Sequence, residues 1–164
     1  MVHSRASHFG MSTPYQNEIK ALEESLNILA GQVDDLRVNA VQLGEKKNVP
    51  AWQVEDVHHN RLFVVISGLD SPEGEETDPV FTAEAEVGQF IGVDPKEVVV
   101  FLELNYTQMT LARLALTPDQ RLVVLFRRWL QGISAPEALE GIAEVWNVAQ
   151  NLRDTLQPQE PGNA

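Results

Sequence analysis

Cysteine is absent from the 164 residues. That excludes disulfides, zinc–thiolate centres and thiol nucleophiles. Long apolar runs are missing too: the longest are LFVVI, VVVFL and LVVLF, far below the roughly 18 residues of a membrane span. The first 30 residues contain no signal-peptide hydrophobic stretch. The expectation is an intracellular protein, cytoplasmic by default, with no membrane association.

Basic residues are scarce. Twelve Lys and Arg stand against 24 Asp and Glu, a net charge of −12. The imbalance is concentrated in residues 70–103, where ten acids face Lys96 alone. Phosphate binding rests on clustered cations, so a general nucleic-acid binder is disfavoured, as is attachment to an anionic membrane surface.

Motifs for chemistry are also lacking. His58 and His59 are adjacent in EDVHH, and neighbours in an extended segment point apart, which suits a solvated pair better than a chelate. The acidic stretch DSPEGEETD (70–78) lacks the alternate-position ligands of a calcium loop. Ser67 precedes Gly68 without a nucleophile elbow, and no glycine-rich phosphate loop occurs. No catalytic residue, metal or cofactor is assigned, and the chain reads as a non-enzyme.

What is present is apolar patterning, since 43% of the residues are hydrophobic. Ile19, Leu22, Leu26, Leu29, Val33, Leu36, Ala40 and Leu43 alternate at spacings of three and four over nearly four heptads. Thr13, Pro14 and Gln16 form a helix start, and Gly44 a helix stop. This predicts a coiled coil over 13–44. β-branched Ile19 and Val33 at a with Leu at d favour a parallel dimer, with a trimer or an antiparallel pairing open. Residues 1–12 read as a disordered leader, 45–60 as a linker and 157–164 as a disordered tail.

The remaining 61–156 reads as a small α+β domain. RLFVVISGL (61–69) is the clearest strand. Asp78-Pro79 starts a predicted helix through Val80, Phe81, Val87, Phe90 and Ile91, stopping near Gly92. Asp94–Glu97 spells a capping box, yet VVVFLELNY (98–106) alternates as a strand from Phe101 and the strand at 61–69 needs a partner, so a turn at Asp94–Glu97 followed by a strand is expected. TPDQRLVVLFRRWLQG (117–132) predicts a helix over 118–131 carrying Leu122, Phe126, Trp129 and Leu130. A capping box at Ser134–Glu137 opens a second helix through Leu139, Ile142, Trp146, Ala149, Leu152 and Leu156. The fold class expected is α+β, mostly helical: an N-terminal coiled-coil helix, a small sheet and a C-terminal helical hairpin.

Two stretches resemble known families. The coil followed by HNRLFVVISGL, SPEGEE and FIGVDPKEVVV resembles the first-open-reading-frame proteins of LINE-type retrotransposons over residues 16–103. That resemblance implies an RRM-like domain and RNA binding, with RLVVLFRRW as a strand and Arg121, Arg127 and Arg128 as candidate contacts. LTPDQRLVVLFRRWLQGISAPEAL (116–139) is similar to the start of region 4 of bacterial sigma factors, which implies a helix-turn-helix.

The functional expectation is a self-associating scaffold or adaptor that binds itself and a further protein partner. The alternative is a retroelement-type nucleic-acid binder. On the charge argument, labelled RNA or DNA should bind weakly in fluorescence anisotropy at about 150 mM salt, where the Debye length is near 8 Å. Tight binding lost on Arg127→Glu plus Arg128→Glu would favour the alternative.

Overall fold

The computed structural model describes residues 15–45, 49–69, 78–89, 95–107 and 109–156. Helix α1 (Gln16–Gln32) is followed by strands β1 (Arg37–Ala40), β2 (Ala51–Glu55), β3 (Arg61–Ser67) and β4 (Val80–Gln89). Then come helix α2 (Pro95–Thr107), strands β5 (Arg113–Leu116) and β6 (Arg121–Trp129), and helix α3 (Ala135–Leu156). The six strands make one antiparallel sheet in the order β1-β2-β3-β4-β6-β5. The protein is therefore a sheet-dominated α+β fold, and the expected mostly helical architecture is overturned.

One face of the sheet makes the core. Trp52 and Val54, Leu62, Val64 and Ile66, Phe81, Ala83 and Ala85, and Leu122, Val124 and Phe126 alternate along their strands and are buried. Helices α1 and α3 cover this face, packing against each other; α3 also packs on β4 and β6. Helix α1 contributes Ile19, Leu22, Leu26 and Leu29, and α3 contributes Ala138, Ile142, Val145, Trp146 and Ala149.

These contacts correct the coiled coil. The helix ends at Gln32, and a turn follows in which Asp35 has φ 57°. Ile19, Leu22, Leu26 and Leu29 are core side chains of their own chain. Val33 is half-buried, Leu36 is buried in the connection, Ala40 lies on β1, and Leu43 follows it, exposed. A stripe at three-four spacing satisfies a helix on a sheet as well as a helix on a helix. The expected linker at 45–60 likewise contains a whole core strand, β2. The leader at 1–12 and the tail at 157–164 lie outside the described residues.

Three further elements change type. The helix expected after Pro79 is strand β4, because Phe81, Ala83 and Ala85 alternate with Thr82, Glu84 and Glu86; two alanines hide that period. Phe90, Ile91 and Gly92 lie outside the described residues. The strand expected at 98–106 is helix α2, since β3 finds its partners in β2 and β4. The helix expected at 118–131 is strand β6, and with it the helical hairpin goes. Thr117–Gln120 is a hairpin turn instead: the Gln120 N–H donates to Thr117 O at 2.9 Å, and Gln120 takes φ 62°. Thr and Asp side chains serve turns and helix caps alike, and Pro fits the second position of a type I turn. The expected strand over 61–69 and helix over 135–156 are present. The capping box is made: the Ser134 N–H donates to Glu137 at 3.1 Å, and the Glu137 N–H to Ser134 Oγ at 3.4 Å.

Helix α3 approaches the sheet closely at Gly141. A Cβ there would overlap the Phe126 ring, which itself meets Phe81 edge-on at 5.4 Å between centroids. Gly141→Ala should destabilise by about 1–3 kcal/mol, the usual cost of overpacking. Phe126→Leu should give part of that back in the double variant, and urea unfolding of the four proteins measures the coupling.

Candidate interaction surface

Helix α2 is the element that the core does not account for. Among the described residues it packs chiefly against β5. Leu104 and Asn105 are half-buried on its inner side. Outward lie Val99 (53% exposed), Leu102 (62%) and Tyr106 (91%), spaced three and four apart on one face, with Val100 beside them. Leu116 on β5 is exposed as well. Exposed apolar side chains grouped on one face of a helix whose other side is already packed mark a contact surface.

The sheet edge beside α2 is closed by side chains. The Glu144 carboxylate on α3 accepts the N–H groups of Thr110, Leu111 and Ala112 at 2.7, 2.6 and 2.7 Å. Next along the chain, the Leu114 N–H donates to Asn105 Oδ1 at 2.6 Å, and Asn105 Nδ2 donates to Leu114 O at 3.2 Å. The Asn105 amide thus stands where a neighbouring strand would pair. An edge satisfied in this way does not recruit another strand.

The outer sheet face contains a cleft of 360 Å³ lined by Phe63, Glu84, Glu86, Arg61, Arg121 and Arg153, among others. Its cations are engaged except at Arg153 Nη1, which is buried without a hydrogen-bond partner. Arg61 meets Glu55 at 2.6 Å; Arg121 meets Asp119 at 2.8 Å and Glu86 at 3.3 Å. Arg153 donates to Glu86 O at 2.7 and 2.9 Å and to Arg61 O at 3.2 Å, bridging β3 and β4 where the latter is bulged. Burial lowers the Arg153 guanidinium below its ordinary value, against the pull of Asp56 and Glu86.

The sequence-predicted contacts are not brought together. Arg121 is spent on Asp119 and Glu86 at one end of β6. Arg127 and Arg128 are neighbours on a strand and leave on opposite faces. Arg128 reaches Glu137 of α3 at 3.1 Å, whereas Arg127 is on the outer face beside exposed Trp129. Phe126 is in the core, so FRRW offers no pair of aromatic platforms. His58 and His59 sit in the β2–β3 turn, where His59 meets Glu55 at 3.0 Å. Among the described residues no His, Asp and Glu cluster is spaced to hold a metal, and no helix is long and apolar enough to cross a membrane.

Asn105, Glu144 and the α2 stripe escaped sequence reading. The capping-box spelling at Asp94–Glu97 was the available signal for the helix. Nothing local marks Glu144, whose partners lie more than thirty residues away.

No family model matches the chain, and no curated protein does. Among solved structures, a chain of the heterodimeric ExoU–SpcU complex from the type III secretion system of Pseudomonas aeruginosa is similar. The TM-score is 0.48 at 17% identity, covering 73% of this chain and 92% of that one. At that level the likeness bears on neither mechanism nor partner.

Partial burial pushes the Glu144 carboxyl up, but the N–H groups of Thr110, Ala112 and Leu111 outweigh it and hold it below the ordinary value. A lowered folded-state value means stability that is present above the unfolded glutamate value and lost as pH falls through the folded one. Glu144→Ala should cost about 2 kcal/mol at neutral pH, as charge-assisted bonds do. Its difference from the unsubstituted protein should shrink below about pH 4, read by urea unfolding across pH.

Proposed function

We propose that this protein is a non-enzymatic interaction module that self-associates through α2. The observation that carries the reading is the outward stripe Val99, Leu102 and Tyr106 on a helix whose inner side already packs on its own fold. The occupant is a second copy. Two chains of charge −12 repel, and α2 belongs to the acidic 70–103 stretch with Glu103 exposed, so association there rests on burying the apolar stripe against that repulsion. A twofold contact also needs only one self-complementary patch. With the β5 edge blocked at Leu114 by Asn105, helix-on-helix packing is favoured over strand addition beside α2. The scaffold role expected from the heptads thus moves from α1 to α2.

The ionisable groups support a structural role. The lowered carboxylates serve ion pairs, turns and caps: Glu55 binds His59 and Arg61, Asp119 binds Thr117 and Arg121, and Glu137 caps α3 and binds Arg128.

Light scattering of the full chain should give twice the 18.3 kDa monomer mass. Leu102→Glu plus Tyr106→Glu should give a folded monomer, because both positions are exposed. Association should strengthen with added salt, which screens like charge and favours apolar burial. A monomer for the unsubstituted chain, or a dimer that survives the double substitution, overturns the reading.

A further inference from the structure

The two edges of the sheet are unlike. At the β5 edge the Asn105 amide occupies the Leu114 N–H and C=O. The other edge is β1, which pairs with β2 alone. The Val41 N–H donates to Ala51 O at 2.9 Å, one position beyond the Ala40–Trp52 pair. Bonded and non-bonded pairs alternate in an antiparallel ladder. Arg37 and Asn39 therefore bond to β2, while Val38 and Ala40 turn their N–H and C=O groups away from the sheet. Among the described residues no hydrogen bond reaches those groups. A row of unpaired donors and acceptors is a template for one more strand.

The side chains along that row have a definite order. Val38 and Ala40 continue the inner face, where Val38 is only partly buried against the core and Ala40 is exposed. Arg37 and Asn39 are exposed on the outer face. Arg37 stands across from Glu55, whose carboxylate is already taken by Arg61 at 2.6 Å and His59 at 3.0 Å. In the turn before β1, Asp34 and Asp35 are exposed and have no ion pair among the described residues. From Asp34 to Ala40 the edge thus reads acid, acid, buried leucine, base, apolar, polar, apolar.

We propose that β1 accepts an antiparallel strand from a different protein. Read from its N-terminus, that strand is apolar opposite Ala40, polar opposite Asn39, apolar opposite Val38 and acidic opposite Arg37. Lys or Arg follows one or two residues later, for Asp35 and Asp34. The two apolar residues cover the open side of Val38 and extend the core. The acid answers Arg37, and main-chain bonds to Val38 and Ala40 hold the segment. Charge selects this occupant over a second copy. Two β1 strands paired about a twofold axis at Asn39 would set Val41 opposite Arg37, leaving Arg37 and both aspartates unanswered. A nucleic acid has no peptide backbone to pair and would meet the same two aspartates. The proposal uses β1, not α2, and stands whether or not the chain dimerises there.

The test is selection of a random dodecapeptide display library on the full-length protein, then amide hydrogen exchange with a synthetic peptide from the pool. The pool should carry the apolar–polar–apolar–acid order followed by a base. The Val38 and Ala40 amides should exchange freely in the protein alone and be protected by the peptide. Ala40→Pro should weaken the peptide at least about tenfold, because it removes one outward N–H and sets a ring on the free edge. The β1–β2 ladder does not use that N–H, so circular dichroism should match that of the unsubstituted protein. Arg37→Glu, at an exposed position, should weaken the peptide about two- to fivefold, the scale of an exposed ion pair. A peptide with Lys in place of its acid should regain that loss on the Arg37→Glu protein. Four results overturn the proposal. One is a library that yields no such pattern, and another is equal binding to Ala40→Pro. The third is protection of both amides without peptide, as a second copy or residues 1–14 on the edge would give. The last is peptide protection confined to α2 or β5.

Discussion

The close approach of α3 to the sheet at Gly141 sets the geometry of the whole molecule. Only a residue without Cβ lets the Phe126 ring lie against the helix, and Phe126 in turn fixes Phe81 edge-on. With α3 seated there, Val145, Trp146 and Ala149 reach the core and α1 lies alongside. Glu144, near Gly141 on the helix, can then collect three backbone N–H groups from the turn before β5. One missing methyl group thus positions the sheet, the helix pair and the closed edge.

The closed edge has a consequence for assembly. An antiparallel sheet with a bare edge invites strand addition. Here Asn105 satisfies the Leu114 groups that β6 leaves free, Glu144 holds the turn before the strand, and the helix that supplies Asn105 turns Val99, Leu102 and Tyr106 outward. The same element therefore protects one surface and offers another.

Charge divides the molecule in a similar way. Arg61, Arg121 and Arg128 are tied into ion pairs and Arg153 into carbonyl bonds, whereas Arg37, Arg113 and Arg127 have no ion pair among the described residues. Register places all three, with Glu84, on the outer face.

Some of this was legible in the amino-acid sequence alone. Strand β3 was, because LFVVI is β-branched and bounded by Gly68. Helix α3 was, because the Ser134–Glu137 capping box and its apolar stripe agree. The acidic balance and the absence of thiol chemistry follow from composition directly. The rest was decided by tertiary contacts. Thr117-Pro-Asp-Gln serves a helix start or a hairpin turn equally well, and β6 was settled by nine register partners on β4. The stripe from Ile19 to Leu29 suits a partner helix or its own sheet, and the sheet lay nearer. VVVFLELNY alternates well enough for a strand, yet β3 was already paired on both sides. Local residues state which backbone groups they can satisfy; which of two satisfied conformations is occupied depends on the apolar area buried against distant segments, and that is not written at any single position.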